Sequence, residues 1–300
     1  MARDSRLAAL AGLAAIGLVA RRSGPPILRP RSMSRRQRAA RGTSLGSALL
    51  ALAALSDSGI EHYRGSFNNK AMYAPLIVST MTLAASLRDA LKPSTANGKA
   101  TDVVDGLALA TGAAGTGFHL YNITKRPGGF SWLNLFYAAP LGAPAALSLA
   151  GLLRRMGRAL RGSTRNFCGV PLVKGVAWLL SFGLIGTSAE AALLHFRGAY
   201  HNPAMLAPVT LPPVGAALLG RAALLPGQPH PVTRWSLRAL AAMGLLGAAF
   251  HAYGVQRNMG GWRNWSQNLL NGPPLPAPPS FTALAIAGLA VLDLIERGER

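Results

Sequence analysis

HYRGSFNNKAMYAP at 62–75 and HFRGAYHNPAMLAP at 195–208 are two versions of one segment. His62, Arg64, Gly65, Asn69, Met72 and Pro75 have counterparts in His195, Arg197, Gly198, Asn202, Met205 and Pro208. Each copy closes one apolar run and opens the next. A second pair sits between and after them. Phe118-His119-x-Tyr121 matches Phe250-His251-x-Tyr253, followed by Gly128-Gly129 and Gly260-Gly261, Trp132 and Trp265, and Asn134 and Asn268. Pro140 and Pro144 match Pro274 and Pro278. The four units share only the His and a downstream Pro.

This pattern predicts an all-α, polytopic membrane bundle. Charged residues are 14% of the chain, against roughly 25% in soluble domains. Eight apolar runs, about 44–63, 71–88, 103–121, 135–153, 174–195, 204–221, 235–253 and 279–294, approach the roughly 20 residues of a transmembrane helix. They are too long and alternate too little for barrel strands. The repeat divides the chain into a basic segment 1–43, a four-helix unit 44–160, a linker 161–173 and a second unit 174–297. An even number of spans per copy makes the copies parallel. Residues 7–20 form a short apolar helix between arginines, read as lying on the membrane.

Charge orients the bundle. Of 31 Lys and Arg, seven lie in the loops that follow the histidines: Arg64, Lys70, Lys125, Arg126, Arg197, Arg257 and Arg263. The other 24 lie in the N-terminal segment, the opposite loops and the C-terminus. The positive-inside rule places both termini in the cytoplasm. In a bacterial inner membrane, the histidines then face the periplasm. The net charge of +21 is spread between apolar runs without the interleaved aromatics that stack on bases, so nucleic acid is not expected. Cys168 is alone, which excludes an intrachain disulfide and a Cys-based metal site.

His62, His119, His195 and His251 are the candidate site. A neutral imidazole ligates haem iron, relays protons or hydrogen-bonds a ligand. Equally, each could simply bond a neighbouring helix. Gly65 and Gly198 are expected to stop their helices in the left-handed conformation, turning Arg64 and Arg197 back over the histidines to hold a carboxylate. Tyr121 and Tyr253 take the arginine's place in the other units, as ligand contacts or interfacial aromatics. Asp57 and Glu190 are proton-relay candidates, since ionisable groups in a span are functional by default. The prolines would free carbonyls, and the glycines of the odd runs would allow close packing or admit a flat cofactor.

Three functions follow. One is a haem b electron-transfer subunit, with two haems each held between two of the four histidines, serving an extracytoplasmic dehydrogenase and quinone. Another is a transporter or channel for a small anion. The third is a non-catalytic subunit docking an extracytoplasmic partner.

Overall fold

A computed structural model of the chain describes residues 33–92, 99–162 and 164–298. They fold into ten α-helices: α1 (Arg35–Arg64), α2 (Ala74–Leu91), α3 (Lys99–Thr124), α4 (Trp132–Tyr137), α5 (Gly142–Arg161), α6 (Leu172–Arg197), α7 (Ala207–Leu224), α8 (Pro231–Arg257), α9 (Trp265–Asn271) and α10 (Pro279–Ile295). Short 3₁₀ turns precede α2, α7 and α9. A small antiparallel hairpin, Asn166–Phe167 with Val170–Pro171, joins α5 to α6. Residues 7–20 lie outside the described residues.

Four helical segments, Arg35–Arg64, Leu172–Arg197, Pro203–Leu224 and Pro231–Arg257, are long and apolar enough to cross a membrane. The packing suits lipid. The interior holds small residues, with Thr43, Ser44, Ser47, Thr82 and Ser86 fully buried among alanines. Ser47 Oγ lies 2.9 Å from Ser86 Oγ and donates to the Ala150 carbonyl at 2.8 Å. Such residues let backbones approach where apolar burial gives no driving force between helices. Ile77, Phe118, Val214, Trp235 and Leu245 point outward and are exposed.

Helix α1 is central, packed along α2, α5 and α10. Helix α3 packs on α5, α7 on α6, and α8 on α10. Helix α6 meets α5 and α10 over much shorter stretches than α1 does. This difference leaves a cavity beside α6.

Two boundaries differ from the sequence expectation. Helix α1 starts at Arg35, inside the predicted basic segment. The run 135–153 is broken: α4 ends at Tyr137, and α5 extends to Arg161. Pro140 lies in the break and Pro144 in the first turn of α5, where the missing proline N–H costs least. Arg154, Arg158 and Arg161, expected in a loop, therefore lie on α5 and are paired. Arg154 meets Asp89 at 3.0 Å and Asp105 at 2.5 Å. Arg158 meets Asp102 at 2.8 Å and also Asp105, and Arg161 reaches Asp89 at 3.7 Å. In the second half Arg234 of α8 pairs with Asp293 and Glu296 of α10, each at 2.5 Å.

Candidate functional site: four stapled hairpins around an open cavity

All four histidines make the same bond. Nδ1 of His62 lies 2.8 Å from the Met72 carbonyl, and that of His195 lies 2.8 Å from Met205. His119 reaches the Pro140 carbonyl at 2.6 Å, and His251 reaches Pro274 at 2.7 Å. A carbonyl oxygen only accepts, so Nδ1 carries the proton, and Nε2 of the neutral ring keeps its lone pair. Each bond ties the end of one helix to the start of its hairpin partner.

The downstream prolines explain why these carbonyls are available. Pro144 and Pro278 stand four residues after Pro140 and Pro274 and have no N–H to complete a helical bond. Pro75 and Pro208 stand three residues after Met72 and Met205, where a 3₁₀ bond would need a donor. Likewise Pro212 frees the Pro208 carbonyl, which takes the Ser188 hydroxyl at 2.9 Å. The carbonyls freed at Pro140, Pro208 and Pro274 are thus bonded by protein side chains.

The rest of the first motif serves the same turn. Phe67 N donates to His62 O and Ser66 N to Tyr63 O, and Tyr200 and Ala199 do the same with His195 and Phe196. These bonds form a Schellman cap, but Gly65 and Gly198 are not its left-handed residues. Ser66 and Phe67, and Ala199 and Tyr200, have positive φ, whereas Gly198 has φ −83°. The expectation of a left-handed glycine placed it one residue early. The two glycines are closely approached: an added Cβ would sit 3.2 Å from Met72 Cε at Gly65 and 3.1 Å from Met205 Cε at Gly198, so the flexible methionine end would have to shift by a few tenths of an ångström. Asn69 and Asn202 cap the following turns by accepting from Ala71 N and Ala204 N, each at 2.9 Å.

The second motif is as self-contained. Asn134 donates to Gly129 O at 2.6 Å and Pro127 O at 3.0 Å; Asn268 donates to Gly261 O at 2.8 Å and Met259 O at 3.2 Å. Gly128, Gly129, Gly260 and Gly261 all have positive φ, as a tight loop demands. Tyr121 and Tyr253 lie under the basic residues four positions on, Lys125 at 4.6 Å and Arg257 at 5.9 Å. Gly112 and Gly244 are filled by neighbours. An added Cβ would meet the Ser148 or Thr282 hydroxyl at 2.3 Å. Those hydroxyls donate across to Leu109 O at 3.0 Å and Ala241 O at 2.8 Å. At these two positions the helices pack closely, and there is no slot for a flat ring.

Beside the staples lies a cavity of about 2260 Å³ between the two halves. Its walls include Leu50, Ala146, Leu149, Phe182, Met243 and Phe281, and its polar groups include Asp57, Glu61, Arg64, Glu190, His195, Arg197, His251 and Tyr253. His62, His119 and Tyr121 are outside this lining. The predicted histidine layer therefore divides into two rings at the cavity and two within their own hairpins.

The arginines reach between the halves. Arg64 pairs with Glu61 at 3.1 Å and donates to the Leu270 carbonyl at 2.6 and 3.0 Å. Arg197 stacks over Tyr137 at 5.9 Å, while Phe196 meets Phe136 edge-on at 5.4 Å. The Glu190 carboxylate faces the Leu141 and Gly142 amides where α5 begins. A Cβ at Gly142 would press on Glu190 Cγ at 3.1 Å. Glu190 Oε1 is buried with no hydrogen-bond partner. Asp57 shows no hydrogen bond or ion pair among the described residues, and its charge interacts with Glu61, Glu190 and Arg64.

Sequence reasoning missed the Arg64–Leu270 tie and the Arg154/Arg158 network. The latter had a signal, since Arg154, Arg158 and Arg161 share one helix face at i, i+4 and i+7. Among the described residues, no cluster of three or more His, Cys, Asp or Glu could hold a metal ion. No known family model, curated protein or solved structure matches the chain.

Proposed function

We propose that this chain is a multi-pass inner-membrane protein that binds a lipid-soluble ligand in a vestibule between two parallel copies of a four-helix unit. In this reading all eight long helices span the bilayer, both termini are cytoplasmic, and the histidine end faces the periplasm. The observation that carries it is the cavity. It takes residues from both halves, its walls are mostly apolar, and a few convergent polar groups mark one end, as in ligand sites generally. At about 2260 Å³ it exceeds the roughly 300–1,000 Å³ of common small-molecule pockets, which suits an acyl-chain or isoprenoid-sized occupant. The test is thermal unfolding of the purified protein in nanodiscs with neutral lipophiles, such as a short-chain quinone or a diacylglycerol. Saturable stabilisation supports the reading, and none at any concentration refutes it.

A small anion is a poor fit. Arg64 is committed to Glu61 and Leu270, and the carboxylates of Asp57 and Glu190 face the same space. The haem b reading keeps one specific support: His195 and His251 both line the cavity, each with its Nδ1 proton committed to a carbonyl. That second bond is what an iron-ligating histidine needs to fix its ring. Haem there would place electron transfer to quinone and an extracytoplasmic dehydrogenase at this face. Oxidised and reduced visible spectra of the purified protein decide it. Soret and α bands lost in His195→Ala support haem, and a colourless preparation ends that reading.

A further inference from the structure

The geometry points to a lipophilic cation as the vestibule's ligand: an apolar body carrying a protonated amine or another positive head between Asp57 and Glu190. This rests on the vestibule reading above and names its substrate class. Two carboxylates at matching positions of α1 and α6 line one cavity. Neither has a basic side chain in hydrogen-bonding or ion-pair contact among the described residues. Glu190 faces backbone amides where α5 begins and leaves Oε1 buried without a hydrogen bond among the described residues, and Asp57 shows none among them either. The guanidiniums lining the cavity make their direct contacts with other groups, Arg64 with Glu61 and Leu270, Arg197 on the Tyr137 ring and Arg257 on the Tyr253 ring, and Arg64 and Arg197 act on the two acids through charge alone.

A carboxylate taken out of water calls for a counter-charge or a proton. A cationic head entering the cavity supplies the charge, while Phe182, Met243 and Phe281 accept the apolar body. His195 and His251, with Nε2 lone pairs free to accept, suit an N–H donor on that head.

Two ions of the same shape and opposite charge test this directly. Equilibrium dialysis of nanodisc-embedded protein against tetraphenylphosphonium and tetraphenylborate, with empty nanodiscs subtracted, reads binding at one vestibule. The expected result is saturable binding of the phosphonium and none of the borate. Asp57→Asn and Glu190→Gln should each weaken the phosphonium at least about tenfold, the effect of losing one close charge pair. Variants are compared at equal folded fraction by their melting curves. Borate bound as well as or better than phosphonium overturns the cation assignment, as does phosphonium binding unchanged in both variants. If neutral lipophiles bind and phosphonium does not, the vestibule reading stands and this inference fails. If nothing binds, both fail.

Discussion

Replacing His119 by leucine separates the staple from every other role of a histidine. The ring donates to the Pro140 carbonyl at 2.6 Å. That carbonyl has no other donor of its own helix, because the fourth residue on is Pro144. Leucine leaves it stranded at a half-buried position, and a buried unsatisfied acceptor costs about 1–3 kcal/mol. Side-chain hydrogen bonds within membrane bundles average about 0.6 kcal/mol, so the lower half of that range is expected. His251→Leu should cost less, since Pro274 O keeps a weak second donor, Ala277 N at 3.3 Å. Asparagine at 119 carries an amide donor close to the place of Nδ1 and removes Nε2, so it should recover most of the loss. The assay is reversible unfolding in mixed micelles, comparing wild type, His119→Leu, His119→Asn and His251→Leu. The staple is refuted if His119→Leu changes stability by less than about 0.3 kcal/mol, or if asparagine recovers nothing.

Three further outcomes are expected. Gly112→Ala and Gly244→Ala push a methyl onto Ser148 and Thr282 and should lower the melting temperature, at a cost of about 1–3 kcal/mol; Gly186→Ala, with nothing within 4 Å of its Cβ, should be neutral or slightly stabilising in the same melt. Arg154→Met removes one of the two guanidinium partners of Asp105, which is 1% exposed and keeps Arg158, so it should cost less than the about 3–5 kcal/mol of a fully broken buried pair; adding Asp105→Asn should return part of it in thermal denaturation. Cys168 is free and exposed in the α5–α6 hairpin, so the proposed orientation makes it unreactive to an impermeant maleimide in intact cells and reactive in inverted vesicles, with a cysteine at Lys125 behaving oppositely.

Much of the helix plan was legible because apolar length and Pro/Gly punctuation are local signals. The His–Pro recurrence was legible as a pattern, and its meaning needed the fold. Nothing in the sequence says which carbonyl a ring will reach, but the prolines mark which carbonyls will lack a helical partner. The glycine caps were misplaced by one residue. Sequence favours glycine at φ > 0, yet the left-handed residues are Ser66, Phe67, Ala199 and Tyr200, held there by the cap bonds. The inner arginines were read as topology signals because loop charge and helix-end charge look alike until Asp89, Asp102 and Asp105 come alongside. The cavity was not legible at all. It arises from how far α6 stands from α5 and α10, a tertiary distance with no local sequence correlate.

The staples also change what the internal repeat can be taken to mean. The residues the halves share most visibly, His, Gly, Asn, Met and Pro, are consumed by caps, tight turns and carbonyl bonds. Their recurrence follows from building the same hairpin twice and needs no shared ligand. The cavity breaks that symmetry, since His195 and His251 reach it and their first-half counterparts do not. Two pairs are exceptions, Asp57 with Glu190 and Arg64 with Arg197: equivalent by sequence, absent from every staple, and all in the cavity wall. Glu190 lies against the start of α5 near Gly142, and Asp57 shows no hydrogen bond among the described residues. A symmetric two-haem arrangement would require the halves to be alike at the histidines. The structure is alike in its turns and unlike in its cavity, which His195 and His251 line and His62 and His119 do not.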